Sequence, residues 1–257
     1  MLSDSQTNNM PSTLTIKGPA NQELRSELEV MEQLLPFDKA KILELGCGLA
    51  STTKQIAGNT EIKSILAAEV DPLAHKKNLQ QKIGKVSFAQ FGAENIMANN
   101  NEFDIVIMLK SLHHVPIQLM PLALLEVSRV LKPGGLAYIS EPVFDGDYNE
   151  IIRMFHDEEL TRNSAFNAIK ITCKNKYLKS ITQVFYSNLV CLKSFEDFVK
   201  KVINITHTQH KISNVLMSTI QKKFENYKTK SRLCKYRFEV PMRVDLLQKP
   251  SESIETV

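Results

Sequence analysis

The chain has 257 residues, 43% of them hydrophobic and 23% charged, with a formal net charge of +4. That make-up is expected of an ordinary soluble globular protein long enough to bury a substantial core. The opening MLSDSQTNNMPST lacks the basic-then-apolar layout of a secretory signal, and no apolar run approaches bilayer length, so no membrane span is expected.

Residues 1–20 carry no clear period and read as a loose arm. From Asn21, Leu24, Leu28, Met31 and Leu35 recur at helical spacing ahead of the first strand, KILEL. A small helix near residues 50–57 follows, then the strand SILAAEV and a helix starting at Pro72. KVSFAQF and FDIVIML read as the third and fourth strands. A helix near residues 121–131 leads through KPGG into LAYIS, the fifth. Short apolar strands alternating with helices describe an α/β fold, a doubly wound, mostly parallel sheet with helices on both faces.

After Phe144 the rhythm changes. Residues 145–180 read as polar helical segments, ITQVFYSNLVCL as a probable sixth strand, and residues 195–224 as two apolar helical stripes. YRFEVPMRVDLLQK alternates with period two and reads as the seventh strand. Pro241 lacks a ladder donor, which predicts regular pairing only from about Met242. The expected organisation is an arm (1–20), a Rossmann-like core (21–144), a mainly helical basic cap (145–235), a final strand (236–249) and a tail (250–257). Residues 151–240 hold 17 Lys and Arg against 7 Asp and Glu, whereas the remainder holds 15 against 21. Such a basic half could attract RNA, a membrane or an anionic substrate; sparse aromatic interleaving favours a solvated helical face.

The chemistry gathers at strand ends. In an open parallel sheet, ligands bind beyond the carboxyl ends of the strands, and KILELGCGLAST sits at the first such end. Gly46 and Gly48 allow a tight turn and close backbone approach to a ligand. Asp71 in AAEVDP lies 23 residues past Gly48, about the offset of an acid that binds ribose hydroxyls. Glu44, just before the glycines, would repel a pyrophosphate and favour an ammonium or sulfonium charge, which argues against a nicotinamide dinucleotide.

Together these segments resemble the class I S-adenosylmethionine-dependent methyltransferases. ILELGCGLA is similar to that family's first motif, AAEVDP to its second-strand motif and FGAENI to its adenine-side segment. FDIVIMLKSLHHVP and VLKPGGLAYISEP resemble its fourth- and fifth-strand signatures, and the HHVP form resembles the branch acting on small molecules. The resemblance implies a seven-stranded sheet whose last strand runs antiparallel beside the fifth, S-adenosyl-L-methionine as cofactor, and residues 145–235 as a cap over the acceptor. It implies that Gly46, Cys47 and Gly48 approach the methionine part, that Glu44 orients it, and that Asp71 with Pro72 meets the ribose. Ala93 and Glu94 would lie beside adenine, and the backbone of Leu109 and Lys110 at the methionine end. Two positions depart from the pattern. Ala50 stands where a third glycine is usual, tolerable if its backbone angles are ordinary, and Gly92 stands where an acid often precedes the Ala-Glu pair.

Transfer from a sulfonium mainly requires alignment, and a base only if the acceptor must lose a proton. His113, His114 and Glu141 are the candidates for that role. His207 and His210 have a loose His-x-x-His spacing that does not by itself make a metal site; no metal is expected, and His75 and His156 read as surface residues. Cys47 reads as a small filler. Cys47, Cys173, Cys191 and Cys234 lie far apart with no Cys-x-x-Cys pair, so reduced thiols and a cytoplasmic setting are expected. The function expected is methyl transfer to a small molecule, with nucleic acid an unlikely partner. A cofactor-binding protein without turnover and an RNA methyltransferase are the alternatives. The sequence does not identify the acceptor or the oligomeric state.

Overall fold

In the computed structural model, described over residues 14–58, 62–204, 212–231 and 234–251, the apolar runs become seven strands. They are β1 (Lys41–Leu45), β2 (Ser64–Ala68), β3 (Val86–Ala89), β4 (Phe103–Leu109), β5 (Leu131–Pro142), β6 (Lys179–Leu192) and β7 (Tyr236–Gln248). They form one sheet in the order β3-β2-β1-β4-β5-β7-β6. Pairing is parallel from β3 across to β5, and β7 runs antiparallel to both of its neighbours. The strand order reverses at β1, so the carboxyl ends of β1 and β4 flank a crevice. His207 and His210 lie outside the described residues.

The helices are α1 (Glu27–Leu34), α2 (Ser51–Ala57), α3 (Pro72–Asn78), α4 (Met120–Val130), α5 (Asp147–Ile152), α6 (Glu159–Lys174), α7 (Phe195–Phe198) and α8 (Asn214–Glu225). Side chains alternate across a strand, so IVIM of β4 serves both faces. Val106 and Met108 meet Leu124 and Val127 of α4 and Ala165 and Ile169 of α6 in one buried cluster. Ile105 and Ile107 join Val30 and Met31 of α1 and Ile56 of α2 in another. This double burial is why the run carries no polar alternation.

Three local outcomes differ from the sequence expectations. The first helix begins at Glu27, not Asn21. Ser26 Oγ accepts from Glu29 N while the Glu29 carboxylate accepts from Ser26 N at 2.7 Å, a reciprocal cap that fixes the start. The residues before it pair with β6 instead, through Arg25 N to Ser187 O and Ser187 N to Glu23 O.

Secondly, β7 runs unbroken through Pro241. Val143 N donates to Pro241 O at 2.9 Å, and β5 ends at Pro142, opposite Met242. In an antiparallel ladder a residue's N–H and C=O point to the same side, so the missing donor faces a position just beyond the end of β5. On its other side Pro241 stands opposite Ser187 of β6.

Thirdly, α6 falls within the span read as a cap, yet Ala165, Ala168 and Ile169 pack into the same cluster as β4 and α4. The other helices of that span, α5, α7 and α8, gather on the far halves of β6 and β7. There Ile151, Phe195, Phe198, Ile220 and Phe224 enclose Tyr236 and Phe238 in a third cluster.

Cys191 and Cys234 are joined by a disulfide, 43 residues apart in sequence, contrary to the expectation of four reduced thiols. Antiparallel pairing of β6 with β7 sets Cys191 opposite Arg237 and brings the entry to β7 alongside it, a proximity no linear spacing reveals. Cys47 and Cys173 are unbridged. No helix among the described residues is long and apolar enough to cross a membrane.

The bridge closes a loop that holds α7 and α8, and closure of that length limits the entropy of the unfolded chain. Cys191→Ser is expected to lower the unfolding free energy by about 2–4 kcal/mol relative to the oxidised protein. The check is a urea titration of both proteins with and without reductant. A variant as stable as the oxidised parent would show that the bridge contributes nothing.

Candidate functional site

The turn leaving β1 is built from left-handed residues. Gly46 has φ +75°, Gly48 φ +56° and Ala50 φ +60°. The N–H groups of Gly46 and Cys47 both donate to Ala68 O, at 2.9 and 3.0 Å, which pins the turn to β2. A Cβ on Gly46 would come within 2.7 Å of Ser111 Cβ, whereas one on Gly48 would meet open space. Steric exclusion thus explains the first glycine, and backbone conformation with open space above it the second. Ala50 does not meet the condition set for it in the sequence. Its angles are those of the left-handed region, which costs an L-residue roughly 1–2 kcal/mol, and it begins α2 without a side-chain cap.

The exit of β2 holds a residue that sequence reasoning missed. Glu69 follows the last residue of β2, and its carboxylate spans two loops, accepting from Gly48 N at 2.7 Å and from Asp71 N at 2.9 Å. Asp71 itself caps α3, with Oδ1 accepting from Leu73 N at 2.8 Å and Pro72 at the first helical position. The signal was present in AAEVDP. Asp-Pro is a helix-start pair, which leaves Glu69 as the acid standing directly at the strand end.

Glu44 lies beneath the turn, buried, where its carboxylate accepts from Thr53 Oγ1 at 2.6 Å. Burial raises its pKa to about 7, with the Thr53 hydrogen bond opposing. The Cys47 thiol is pushed up to about 12 by burial and then by Glu44 and Glu69, so it is an inert filler.

These turns border a cavity of about 710 Å³ over the carboxyl ends of the central strands. Gly46, Gly48, Glu69 and Asp71 form one side. Phe91, Gly92, Ala93 and Glu94 form the β3 side, where the Glu94 side chain folds back over Gly92. A Cβ at Gly92 would stand 2.4 Å from both Glu94 carboxylate oxygens. The β4 side is Met108, Lys110, Ser111 and His114, with Asn204 reaching in from beyond α7. Lys110 is left-handed (φ +53°) and donates its N–H to Ser140 O, and Ser111 Oγ donates to Leu45 O. Glu44, Cys47, Pro72 and Leu109 support these walls and are not among the lining residues.

The three base candidates separate. His114 is on the cavity wall and half exposed. Glu141 is buried at the end of β5, where Oε1 accepts from Leu112 N at 2.9 Å and Oε2 pairs with His113 Nδ1. His113 is buried as well, with Nε2 3.5 Å from Glu158 Oε1. Burial opposes its charge, but Glu141 and Glu158 outweigh burial and hold its pKa up, at about 9. Burial likewise pushes the Glu141 carboxyl upward, and His113 and Arg243 overcome it, leaving a lowered value. His113 and Glu141 are engaged with each other and with the turn backbone, so they set the shape of the turn after β4, and neither lines the main cavity.

Residues 43–139 match the family model described as a methyltransferase domain. The chain is 32% identical over 109 residues to a ubiquinone biosynthesis O-methyltransferase of Cereibacter sphaeroides, covering 41% of this chain and 42% of that one. It is 32% identical over 100 residues to the phthiotriol/phenolphthiotriol dimycocerosates methyltransferase of Mycobacterium leprae, covering 38% and 36%. The chain thus spans less than half the length of these curated relatives. Among solved structures, the YcgJ protein of Bacillus subtilis superposes with a TM-score of 0.58 at 14% identity, covering 87% of this chain and 98% of that one, a likeness of fold.

Two substitutions test the turn. Ala50→Gly is expected to raise the unfolding free energy by about 1 kcal/mol, because relief of the left-handed strain exceeds the added freedom of the unfolded chain. Loss of stability on thermal unfolding would contradict the strain. Glu44→Gln keeps an acceptor for Thr53 and removes the buried charge. Because the folded pKa is raised above the unfolded 4.5 to about 7, the parent loses stability as pH rises through that window. The melting temperature of the variant should therefore gain on the parent between pH 5 and pH 8; a constant difference would refute the raised pKa.

Proposed function

From a chain whose residues 43–139 belong to the methyltransferase-domain family, we infer a class I enzyme that takes a methyl group from S-adenosylmethionine and delivers it to a small-molecule acceptor. The observation that carries this reading is the cavity of about 710 Å³ over the carboxyl ends of β1 to β4. It is acidic and glycine-lined at one end and bordered by His114, Val115 and Pro116 at the other. The curated relatives named above, a ubiquinone biosynthesis O-methyltransferase and a phthiotriol/phenolphthiotriol dimycocerosates methyltransferase, support a small-molecule acceptor. The mainly apolar far wall fits such a molecule better than a phosphate backbone.

The residues suit the cofactor. Gly48 leaves open space for it, and Glu69 and Asp71 stand where vicinal ribose hydroxyls would donate to carboxylates. Glu94, folded over Gly92, supplies a carboxylate near position 92, where the family pattern has an acid. It is the group proposed to accept from the adenine amino group. Glu44, when ionised, places negative charge under the methionine end, where an ammonium and a sulfonium would be attracted.

S-adenosylmethionine supplies a methyl already activated by positive sulfur. The acceptor's lone pair forms the bond to the methyl carbon as the carbon–sulfur bond breaks, and that electron pair stays on sulfur. The protein's task is alignment and exclusion of water, which can contribute roughly 7–11 kcal/mol in well-oriented cases. Val115, Pro116 and Asn204 would close the cavity around the acceptor. His114, alone among the three base candidates at the wall, would orient the acceptor or take its proton.

Calorimetric titration of the full chain with S-adenosylmethionine, followed by turnover screens against phenolic, amine and RNA acceptors, tests the reading. Glu69→Ala is expected to weaken cofactor binding by about tenfold or more, about 1.4 kcal/mol. Glu94→Ala should weaken it less, and His114→Ala should reduce turnover with cofactor affinity kept. Absence of binding would overturn the reading. Tight binding without turnover on any acceptor would favour a non-catalytic cofactor-binding protein, and turnover on RNA alone would replace the small-molecule acceptor.

A further inference from the structure

A second cavity, of about 430 Å³, adjoins the first and shares His114, Val115 and Pro116 with it. On its wall three imidazoles converge on one carboxylate oxygen. Glu158 Oε1 lies 2.8 Å from His156 Nε2, 3.5 Å from His113 Nε2 and 4.0 Å from His114 Nδ1. We propose that His113, His114, His156 and Glu158 form a binding site for one divalent transition-metal ion of the zinc class.

Donor chemistry, spacing and support all bear on this. Three ring nitrogens and one carboxylate oxygen suit Zn²⁺ or Co²⁺, whereas Mg²⁺ and Ca²⁺ take oxygen shells. A tetrahedral site with bonds of about 2.0–2.1 Å separates its donors by roughly 3.3 Å. The ligand atoms of His113, His114 and Glu158 already lie within 4.8 Å of one another, so modest side-chain rotation brings these three to one ion, and His156, outside that group but 2.8 Å from Glu158 Oε1, would turn toward it as the fourth donor. The two buried ligands are held from behind. His113 Nδ1 is bonded to Glu141, which presents Nε2 to the site, where a bound ion would replace the Nε2 proton and release it to solvent, and the second Glu158 oxygen accepts from Arg162 Nη2 at 2.7 Å. Outer partners of this kind orient metal ligands. The pairs also come from different places: His113 and His114 from the turn after β4, His156 and Glu158 from the connection between α5 and α6. Only the fold unites them, which is why the sequence led to no metal being expected.

The site's use rests on the methyl-transfer reading above. His114 faces both cavities, so an ion beside it could take an acceptor hydroxyl as a further ligand. The hydroxyl would then lose its proton to solvent, leaving its oxygen lone pair to form the bond to the methyl carbon.

The test uses the full chain stripped with a chelator and dialysed, titrated with Co²⁺ alone and with Zn²⁺ alone. Expected are one ion per chain by elemental analysis and a visible cobalt band of nitrogen and oxygen ligation. His156→Ala and His114→Ala should each weaken binding by about tenfold or more, with circular dichroism and metal-free melting temperature unchanged. These two are chosen because His113 and Glu158 are buried and their loss could unfold the chain. Substoichiometric metal, or binding that neither variant weakens, would overturn the proposal. S-adenosylmethionine is titrated into the same metal-free chain. Lost metal binding with intact cofactor binding overturns the metal site alone, and the reverse overturns the methyl-transfer reading alone.

Discussion

A carboxylate with almost no contact with water has to be satisfied by the protein, and Glu141 is satisfied from three directions at once. It accepts from the backbone of the turn after β4, pairs with His113, and stands opposite Arg243 in the β5–β7 ladder. Arg243 in turn donates to Asp245 at 2.7 Å and lies over the Phe166 ring of α6. Removing any one member would leave a buried charge unmatched, a cost of several kcal/mol. The turn that carries Ser111, His113 and His114 is therefore fixed by the same network that joins the antiparallel strand to the parallel sheet. Site and scaffold share one set of charges.

The parallel core was legible because its physics is local. A strand buried on both faces must be apolar throughout, and the IVIML and SILAA runs say so without reference to anything else. The turns were partly legible. Glycine at 46 and 48 announced left-handed backbone, but Ala50 carries the same conformation under a residue that gives no such signal. Glu69, the acid at the end of β2, was obscured by a neighbour, since Asp71 has the more familiar context and the geometry gives both acids a place on the wall.

What sequence could not show depends on partners far away along the chain. The pairing of Cys191 with Cys234 follows from the antiparallel register of β6 and β7. The assignment of α6 to the core follows from its packing on α4. The raised pKa of His113 follows from two carboxylates, one 28 residues away on β5 and the other on the connection into α6. An adjacent His-His pair reads as one feature in a sequence, yet a three-residue 3-10 turn points one ring into the protein and leaves the other at the surface.

The segment His114–Pro116 is a partition with a cavity on each side. A partition this thin cannot be reshaped for one chamber without altering the other. Substitutions there should persist through evolution in matched sets, each change at the wall accompanied by compensation near Glu158 and near Ser111. Alterations of acceptor preference in descendants of this fold would then be inherited as coordinated groups of replacements across both chambers.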